Sequence, residues 1–379
     1  MKRYDLIIIT AYPFPYGLAS TNRIMTYAKA IANYKKVLVL SFSQTDYKIS
    51  GDKFIKGTID NVDYEYLRPI DPKNKNIVTK IYYRVITFLN YIFKLLFIYR
   101  TESIISYFHD YIYTRFLFVI SHVRGYNIYK DITETFEGYF GSESARKRQR
   151  KLQAGYDGLI VMTDGIRDYF QGINNNTFIL PMGVDVSRFE GIVPSEEKYF
   201  FYCSGGVLER DGVLDAIEAF VKFNKHHKDY KFKIATPINI NDEYHKKVLY
   251  LINNNDDIEY LGIIESNKIP QLMLKSTGLV LTPHHDYITK GFPTKLGEYL
   301  ASGKPVICTS IKTLKESVPE GCSFMVSPNC PDEIAQAMET IVDEHDKAMI
   351  IAQKGKRFVV ENYTIHPYLN DLLRFIRLV

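Results

Sequence analysis

The sequence predicts an α/β protein of two domains, each built on a parallel β-sheet that is covered by helices on both faces. Its 379 residues exceed the roughly 250–300 residues at which a single hydrophobic core usually stops growing. Short β-branched runs alternate with segments long enough for a helix, which is the pattern of parallel sheets. The alternation restarts after the charged, proline-containing stretch 190–198, and this restart predicts the domain boundary.

Six strands are predicted in each half of the chain. Those of the first half are Leu6–Ile9, Val37–Phe42, Ser103–Tyr107, Asn127–Ile132, Gly158–Met162 and Thr177–Leu180. Those of the second half are Tyr199–Cys203, Lys231–Ala235, Ile258–Leu261, Gly278–Thr282, Pro305–Cys308 and Phe324–Val326. Helical patterns between them include Thr21–Ala32, Val213–Phe223 and Pro331–Val342. We therefore assign residues 1–188 to an N-terminal domain, 189–362 to a C-terminal domain and 363–379 to a helix that packs back toward the first domain.

The composition argues against several classes of protein. Lysine and arginine total 48, aspartate and glutamate 43, and the net charge is +5. This charge is too small to indicate nucleic-acid binding, but it suits anionic substrates or a lipid surface. The four cysteines lack the spacing of a zinc site and indicate buried thiols in a reducing compartment. The apolar run Leu6–Ile9 is too short for a signal peptide, so a cytoplasmic protein is expected.

Motifs for metal-dependent or nucleotide-hydrolysing chemistry are missing from the sequence. It has no glycine-rich Walker loop, no His-Glu-x-x-His and no Asp-x-Asp pair that would hold a divalent metal against a diphosphate. The adjacent residues His284, His285 and Asp286 suggest a metal site. Neighbours in an extended run point to opposite faces, however, so polar loop residues are the preferred interpretation. No metal or cofactor is predicted.

The loop at residues 12–20 follows the first strand and precedes a helix for which Ser20 or Thr21 would be the N-cap. Small residues such as Gly17 and Ala19 would let a ligand approach the backbone at a helix N-terminus. The alternative is a plain turn rich in proline and glycine.

A second loop, residues 205–212, follows the first strand of the C-terminal domain. The backbone at Gly205 and Gly206 can present N–H groups, and Arg210 can form a forked contact with a phosphate. The alternative is that Asp211 holds the Arg210 guanidinium in a surface ion pair.

The stretch at residues 290–306 has the most specific pattern. A Gly-Phe-Pro turn opens a helix, where free N–H groups and Lys295 would attract a phosphate. Glu298 follows about one helical turn later, where its carboxylate can accept hydrogen bonds from sugar hydroxyls. Spacing alone leaves open the alternative of a helix with an exposed glutamate.

The run Gly-Phe-Pro-Thr-Lys-Leu-x-Glu-Tyr-Leu-Ala-x-Gly-Lys-Pro-Val at residues 291–306 resembles the signature of the retaining nucleotide-sugar glycosyltransferases of family 4. The likeness covers nearly the whole chain and includes the acceptor loop (12–20), the domain junction (157–161 and 179–189), the diphosphate loop (205–212) and the next strand (258–262). The resemblance implies the GT-B fold, in which two Rossmann-like domains face each other across a cleft.

The resemblance also implies site residues. Those implied for substrate binding are Gly17, Ala19, Gly205, Gly206, Arg210, Gly291, Phe292, Pro293, Thr294, Lys295 and Glu298, and those implied for catalysis are Glu134, Lys290 and Arg210. Glu298 would bind the donor ribose, Gly291 and Phe292 would face the sugar, and Thr294 would face the diphosphate. Glu134 matches a histidine or glutamate of the N-terminal domain, with Glu137 and His109 as competing choices.

The chain departs from the family pattern at three positions. Lys290 stands where the family often has a glutamate near the donor sugar. Gly206 and Asp211 stand where the diphosphate loop usually has an arginine and a lysine. Arg210 is therefore the only base in that loop, and Lys295 would supply the second charge.

The resemblance implies a metal-independent transferase that moves a sugar from a nucleoside diphosphate sugar to a hydroxyl acceptor with retention. The acceptor would be a saccharide or lipid-linked saccharide of bacterial surface polysaccharide synthesis. A nucleotide-sugar epimerase of similar fold and a catalytically inactive partner subunit are the alternatives.

The apolar segment Lys80–Arg100 allows two interpretations. Arg84, Asn90 and Lys94 interrupt it, which does not favour a membrane span. Its helical periodicity fits either a helix that buries one face in the core, which we prefer, or a helix that rests on an anionic bilayer. The basic cluster of residues 146–151 would join such a contact or form an ordinary solvated helix face.

Overall fold

The computed structural model describes residues 1–17, 19–43, 55–68, 76–193, 195, 197–206, 209–284 and 294–379. These residues form two compact units. The first contains residues 1–183 and 365–379, and the second contains the described residues of 184–364. The division thus falls at residues 183/184, five residues before the junction expected from the sequence.

The first unit is built on an eight-stranded sheet in the order β10-β9-β8-β7-β2-β3-β5-β4. Neighbouring strands in this sheet are parallel, except for the antiparallel pair β4 and β5. Strand β1 pairs with β6 in a separate two-stranded sheet. The strands are β1 (Lys2–Arg3), β2 (Leu6–Thr10), β3 (Val37–Ser41), β4 (Lys56–Ile59), β5 (Val62–Tyr66), β6 (Tyr99–Arg100), β7 (Ser103–Tyr107), β8 (Asn127–Ile132), β9 (Gly158–Val161) and β10 (Thr177–Ile179). The helices that precede the second unit are α1 (Ala19–Ala32), α2 (Ile77–Phe93), α3 (Tyr111–Arg124), α4 (Glu143–Leu152) and α5 (Asp164–Phe170).

The second unit is built on a six-stranded parallel sheet in the order β13-β12-β11-β14-β15-β16. Its strands are β11 (Tyr199–Cys203), β12 (Lys231–Ala235), β13 (Ile258–Tyr260), β14 (Gly278–Leu281), β15 (Val306–Thr309) and β16 (Phe324–Val326). Its helices are α6 (Val213–Phe223), α7 (Glu243–Asn253), α8 (Ile269–Lys275), α9 (Thr294–Ser302), α10 (Lys312–Ser317), α11 (Pro331–Asp343) and α12 (His345–Asn362).

The C-terminal helix α13 (Leu369–Phe375) belongs to the first unit. Leu372 and Ile376 are fully buried in the core that also contains Leu6 and Ile8 of β2. The Ser103 hydroxyl of β7 donates a hydrogen bond to the Ile376 carbonyl at 2.6 Å. Apolar packing and a buried hydrogen bond therefore fix the end of the chain to the first sheet.

All twelve predicted strands are present, and their ends lie within one residue of the prediction. The prediction missed the antiparallel pair β4–β5, which a two-residue turn at Asp60 and Asn61 connects with φ of 47° and 63°. Two-residue hairpin turns with positive φ at both central residues favour aspartate and asparagine. The N-cap prediction at Ser20 or Thr21 is wrong, because α1 already includes Ala19. The Thr21 hydroxyl instead donates to the Pro13 carbonyl at 2.5 Å.

Candidate donor site

Glu298 lies at the centre of a charge cluster in the second unit. Its Oε1 accepts a hydrogen bond from Arg188 Nη1 at 2.6 Å, and its Oε2 accepts one from Lys295 Nζ at 2.8 Å. The side chain of Glu298 is 13% exposed, so the alternative of an exposed glutamate is wrong. Burial opposes ionisation, but the charges of Lys295 and Arg188 outweigh it and lower the pKa of Glu298. Glu298 is therefore an anion held between two cations.

Arg188 is the residue of this cluster that the sequence analysis did not select. It lies in the 3-10 turn Val186–Phe189, and its Nη2 donates to the Ser266 carbonyl at 2.7 Å and to the Ser266 hydroxyl at 3.2 Å. Asp185 caps the turn by accepting a hydrogen bond from the Ser187 amide at 3.0 Å. The sequence does carry a signal for Arg188, since it lies in the junction segment 179–189, but that segment predicts only the domain boundary.

Helix α9 is fixed to the end of strand β11. The Cys203 amide, at the last position of β11, donates to the buried Tyr299 hydroxyl at 2.8 Å. Burial raises the pKa of the Cys203 thiol, which keeps it neutral and unsuited to nucleophilic attack. Burial opposes the charge of Lys295 too, but the nearby Glu298 carboxylate outweighs it and raises the pKa of Lys295. The helix thus carries a fixed cation and a fixed anion near the carboxyl end of this sheet.

The loop after β11 combines open glycines with one constrained glycine. A Cβ at Gly205 or Gly206 would meet no atom within 4 Å among the described residues, so a ligand can approach the backbone there without displacing a side chain. Gly212 has a φ of +69°, and a Cβ there would lie 1.7 Å from the Thr282 carbonyl oxygen. Glycine is therefore required at Gly212 to begin α6 in close contact with the strand end.

Arg210 lies in the short 3-10 turn Glu209–Asp211 beside this loop. Its side chain is 52% exposed, and its Nε lies 3.8 Å from Asp211 Oδ1. The ion pair between Arg210 and Asp211, which is the alternative to a phosphate contact, is thus present. Its distance is long, and the Arg210 side chain is open to solvent. The Arg210 carbonyl accepts a hydrogen bond from the His284 amide at 2.8 Å.

Four predicted donor-site residues lie outside the described part of the chain: Lys290, Gly291, Phe292 and Pro293. Thr294, which is partly exposed, is the first residue of α9. The His284 Nε2 lies 2.8 Å from Asp215 Oδ2, whereas His285 and Asp286 are also outside the described residues. Within the part of the chain that the structure describes, no three His, Cys, Asp or Glu side chains are grouped to hold a metal ion.

Glu134 and Glu137 follow strand β8 in the first unit. Glu134 is partly exposed, and its charge adds to burial in raising the pKa of Tyr139. Glu137 is exposed, and hydrogen bonds led by that from Thr135 outweigh partial burial and lower the pKa of Glu137. Glu137 is therefore an exposed carboxylate whose ionised form is favoured, and Glu134 is the less accessible of the two.

His109 follows strand β7, with its ring 4.5 Å from the Tyr139 ring and 5.5 Å from the Phe136 ring. Burial and the nearby charge of Lys130 hold the pKa of His109 well below its usual value. Its Nδ1 is buried without a hydrogen-bond partner among the described residues. His109 is thus a neutral histidine rather than a cation for phosphate.

Gly17 is required by close packing in the acceptor loop, because a Cβ there would lie 2.2 Å from the Thr21 hydroxyl. Ala19 is partly exposed at the start of α1. The small residues of this loop thus pack against the first turn of the helix.

Residues 187–358 match the family model described as Glycosyl transferases group 1. This match includes Arg188, Arg210, Lys295 and Glu298. Solved structures with the GT-B fold match almost the entire chain, so the chain has the predicted GT-B fold. The family match and the fold together support a glycosyltransferase.

Three of the similar structures illustrate the match. Anabaena HepE in complex with UDP-glucose has a TM-score of 0.69 at 14% identity and covers 99% of this chain and 100% of its own. Sucrose-phosphate synthase from Thermosynechococcus elongatus has a TM-score of 0.69 at 14% identity, with 98% of both chains covered. S. aureus TarM, as a variant in complex with fondaparinux, α-GlcNAc-glycerol and UDP, has a TM-score of 0.72 at 12% identity and covers 99% and 100%. The sequence search of curated proteins finds no match.

Proposed function

We propose that this chain is a retaining, metal-independent glycosyltransferase of family 4. It moves a hexose from a nucleoside diphosphate sugar to a hydroxyl of a saccharide or lipid-linked saccharide in the cytoplasm, for a bacterial surface polysaccharide. The observation that carries the proposal is the partly buried, ionised Glu298 between Arg188 and Lys295, within the residues that match the family model. The free thiols of Cys203, Cys308, Cys322 and Cys330 fit a reducing compartment.

Two of the similar proteins support this choice of substrates. Anabaena HepE is solved with UDP-glucose and also with UDP and glucose. S. aureus TarM is solved with UDP and α-GlcNAc-glycerol. A uridine diphosphate sugar is therefore the first donor to test, with a saccharide as the first acceptor.

In the proposed donor complex, the Glu298 carboxylate accepts hydrogen bonds from the ribose hydroxyls. Arg188 keeps that carboxylate ionised and fixes its direction, since the guanidinium is itself held by Ser266. Lys295 contacts the diphosphate, and Arg210 approaches it from the loop after β11. The cations then stabilise the charge that develops on the leaving group.

The proposed transfer takes place on one face of the sugar. The bond from the anomeric carbon to the diphosphate oxygen breaks, and the acceptor oxygen forms its bond from the same side. The acceptor proton passes to the leaving diphosphate, so the step needs no protein nucleophile. Catalysis then rests on positioning and on neutralising the diphosphate.

The test is to incubate the full chain with uridine diphosphate sugars, with and without a saccharide acceptor. NMR then follows the glycosylated acceptor and any new nucleotide sugar. Transfer that requires acceptor and keeps the anomeric configuration supports the proposal. An inverted product contradicts retention, and a new nucleotide sugar formed without acceptor indicates the epimerase. Donor binding without any turnover, measured by titration calorimetry, indicates an inactive partner subunit.

A further inference from the structure

Two neighbouring helices of the first unit expose large apolar side chains to solvent. Val85, Leu89 and Phe93 of α2, with Phe116, Val119 and Val123 of α3, are each between 40% and 67% exposed, and we call these six residues the apolar face. The two helices are in direct contact, because the Phe88 and Phe116 rings lie 4.9 Å apart. The preferred expectation of a core helix is therefore wrong for much of α2.

The opposite side of α2 is docked on its own unit. Thr87 and Tyr91 are buried, the Asn90 amide donates to the Leu67 carbonyl at 3.0 Å, and the Tyr91 hydroxyl donates to the Tyr113 carbonyl at 3.1 Å. Helix α2 continues into the π-helical turn Lys94–Ile98. Together, residues 77–98 form the one described helix that is long and apolar enough to cross a membrane, and 17% of its most apolar window is buried. A helix docked along one side suits a position on a membrane surface rather than across it.

The charged side chains of α2 and α3 themselves are all positive, although the exposed Asp110 is the N-cap of α3. Neither α2 nor α3 contains an aspartate or glutamate, whereas Lys80, Arg84 and Arg115 are exposed on them. The Arg148 guanidinium of the basic helix α4 lies 4.8 Å from the Tyr111 ring at the start of α3. These four residues form a basic rim beside the apolar face, and such a rim complements acidic lipid headgroups.

A cavity of about 750 Å³ lies beside the N-terminal half of α2. Arg68, Lys80 and Arg84 line it together with Ile77 and Ile81, which are 74% and 58% exposed. Asp110 also lines the cavity, so three cations and one carboxylate meet apolar side chains in a space large enough for a charged lipid headgroup. This arrangement favours lipid over a protein partner.

We propose that the apolar face enters the interfacial region of an anionic bilayer while the basic rim contacts its headgroups. A second copy of this chain fits less well, because a two-fold contact through the same face would place two basic rims together. The docking does not depend on the chemistry proposed above, since none of its residues belongs to the donor site.

The experiment is flotation of the full chain with phosphatidylcholine vesicles, with and without phosphatidylglycerol. The wild type should float with the anionic vesicles and much less with the neutral ones. The double variant Leu89→Asp with Val119→Asp should bind the anionic vesicles at least tenfold more weakly. The matched control is Ile240→Asp with Ile263→Asp, which changes two exposed residues of the second unit and should bind like wild type.

Each remaining outcome overturns the proposal. A wild type that floats with neither vesicle removes the membrane contact. If high salt releases the protein completely from the vesicles, or if both double variants bind equally, the protein adsorbs to the headgroups by charge without inserting its apolar face. A dimer by light scattering that Leu89→Asp with Val119→Asp dissociates, without vesicle binding, assigns the face to a second copy. Melting curves of both double variants confirm folding, and transfer to a soluble acceptor tests the proposed chemistry separately.

Discussion

Each unit contains a group of paired charges, and the two groups differ in their exposure to solvent. The group of the first unit is the Arg23–Asp131 pair, and that of the second is the Arg188–Glu298–Lys295 cluster. In the first, Arg23 and Asp131 are 1% and 0% exposed. Arg23 Nε and Nη2 donate to Asp131 at 3.0 Å and 2.9 Å, and Nη1 donates to the Pro181 carbonyl at 2.9 Å. In the second, the three side chains retain between 13% and 25% exposure.

This difference separates a pair that cannot be broken without leaving a buried charge from a cluster that solvent can reach. A ligand cannot reach Asp131 without opening the core, and breaking a fully buried ion pair leaves an uncompensated charge. Each carboxylate oxygen of Glu298 accepts a hydrogen bond from one of the two cations, and solvent reaches the cluster. A ribose or diphosphate can therefore replace one of its contacts without unfolding the second unit.

The largest expected effect is the loss of stability in Asp131→Asn. The substitution leaves the Arg23 guanidinium buried without a counter-charge, which should cost about 3–5 kcal/mol in the free energy of unfolding. The Tm should fall by roughly 6–20 °C for a unit of this size. Thermal unfolding followed by circular dichroism measures it.

The control for that substitution is Asp164→Asn in the same unit. Asp164 pairs with Arg167 at 2.8 Å, but the two side chains are 70% and 47% exposed. Such a surface pair contributes about 0–1 kcal/mol. Equal losses in both variants would show that burial does not distinguish the two pairs.

The next largest effect is the loss of donor affinity in Glu298→Gln. A neutral amide is a weaker acceptor for the ribose hydroxyls, and the loss of the charged hydrogen bonds should cost about 1.5–3 kcal/mol, or roughly 10–150-fold in Kd. Titration calorimetry with a uridine diphosphate sugar measures the change. Glu243→Gln, at a carboxylate that is 83% exposed, is the control, and an unchanged Kd in Glu298→Gln would remove Glu298 from the ribose site.

Local sequence patterns predict the strands and Glu298, but not the long-range ion pairs. Strands buried on both faces are near-continuous apolar runs, so their positions could be predicted closely, and Glu298 was found through its place after a Gly-Phe-Pro turn. Arg23 and Asp131 were missed because they lie 108 residues apart and no local pattern joins them. Arg188 was missed for the same reason, since its partner Glu298 is 110 residues away.

A smaller effect should appear in the pH dependence of stability. The pKa of Glu298 is lowered in the folded protein, and a carboxylate of this kind stabilises the fold above its unfolded pKa and loses the effect as the pH falls through its folded pKa. The difference in unfolding free energy between wild type and Glu298→Gln should stay constant from about pH 7 to 5 and shrink below about pH 4. Urea unfolding across this range measures it. A difference that already shrinks between pH 7 and 5 would mean that burial, rather than the two cations, determines the pKa.

The smallest effect on stability is expected for Arg210→Ala, although its effect on turnover should be clear. The loose pair with Asp211 is solvated, so its loss should change the free energy of unfolding by less than about 0.5 kcal/mol. If Arg210 neutralises the leaving diphosphate, kcat should fall roughly 10–100-fold and KM should rise much less. Arg167→Ala removes an arginine of similar exposure from a surface pair in the first unit and should leave both constants unchanged. An Arg210→Ala protein that melts and turns over like wild type would show that Arg210 does not contact the diphosphate, which is then neutralised elsewhere.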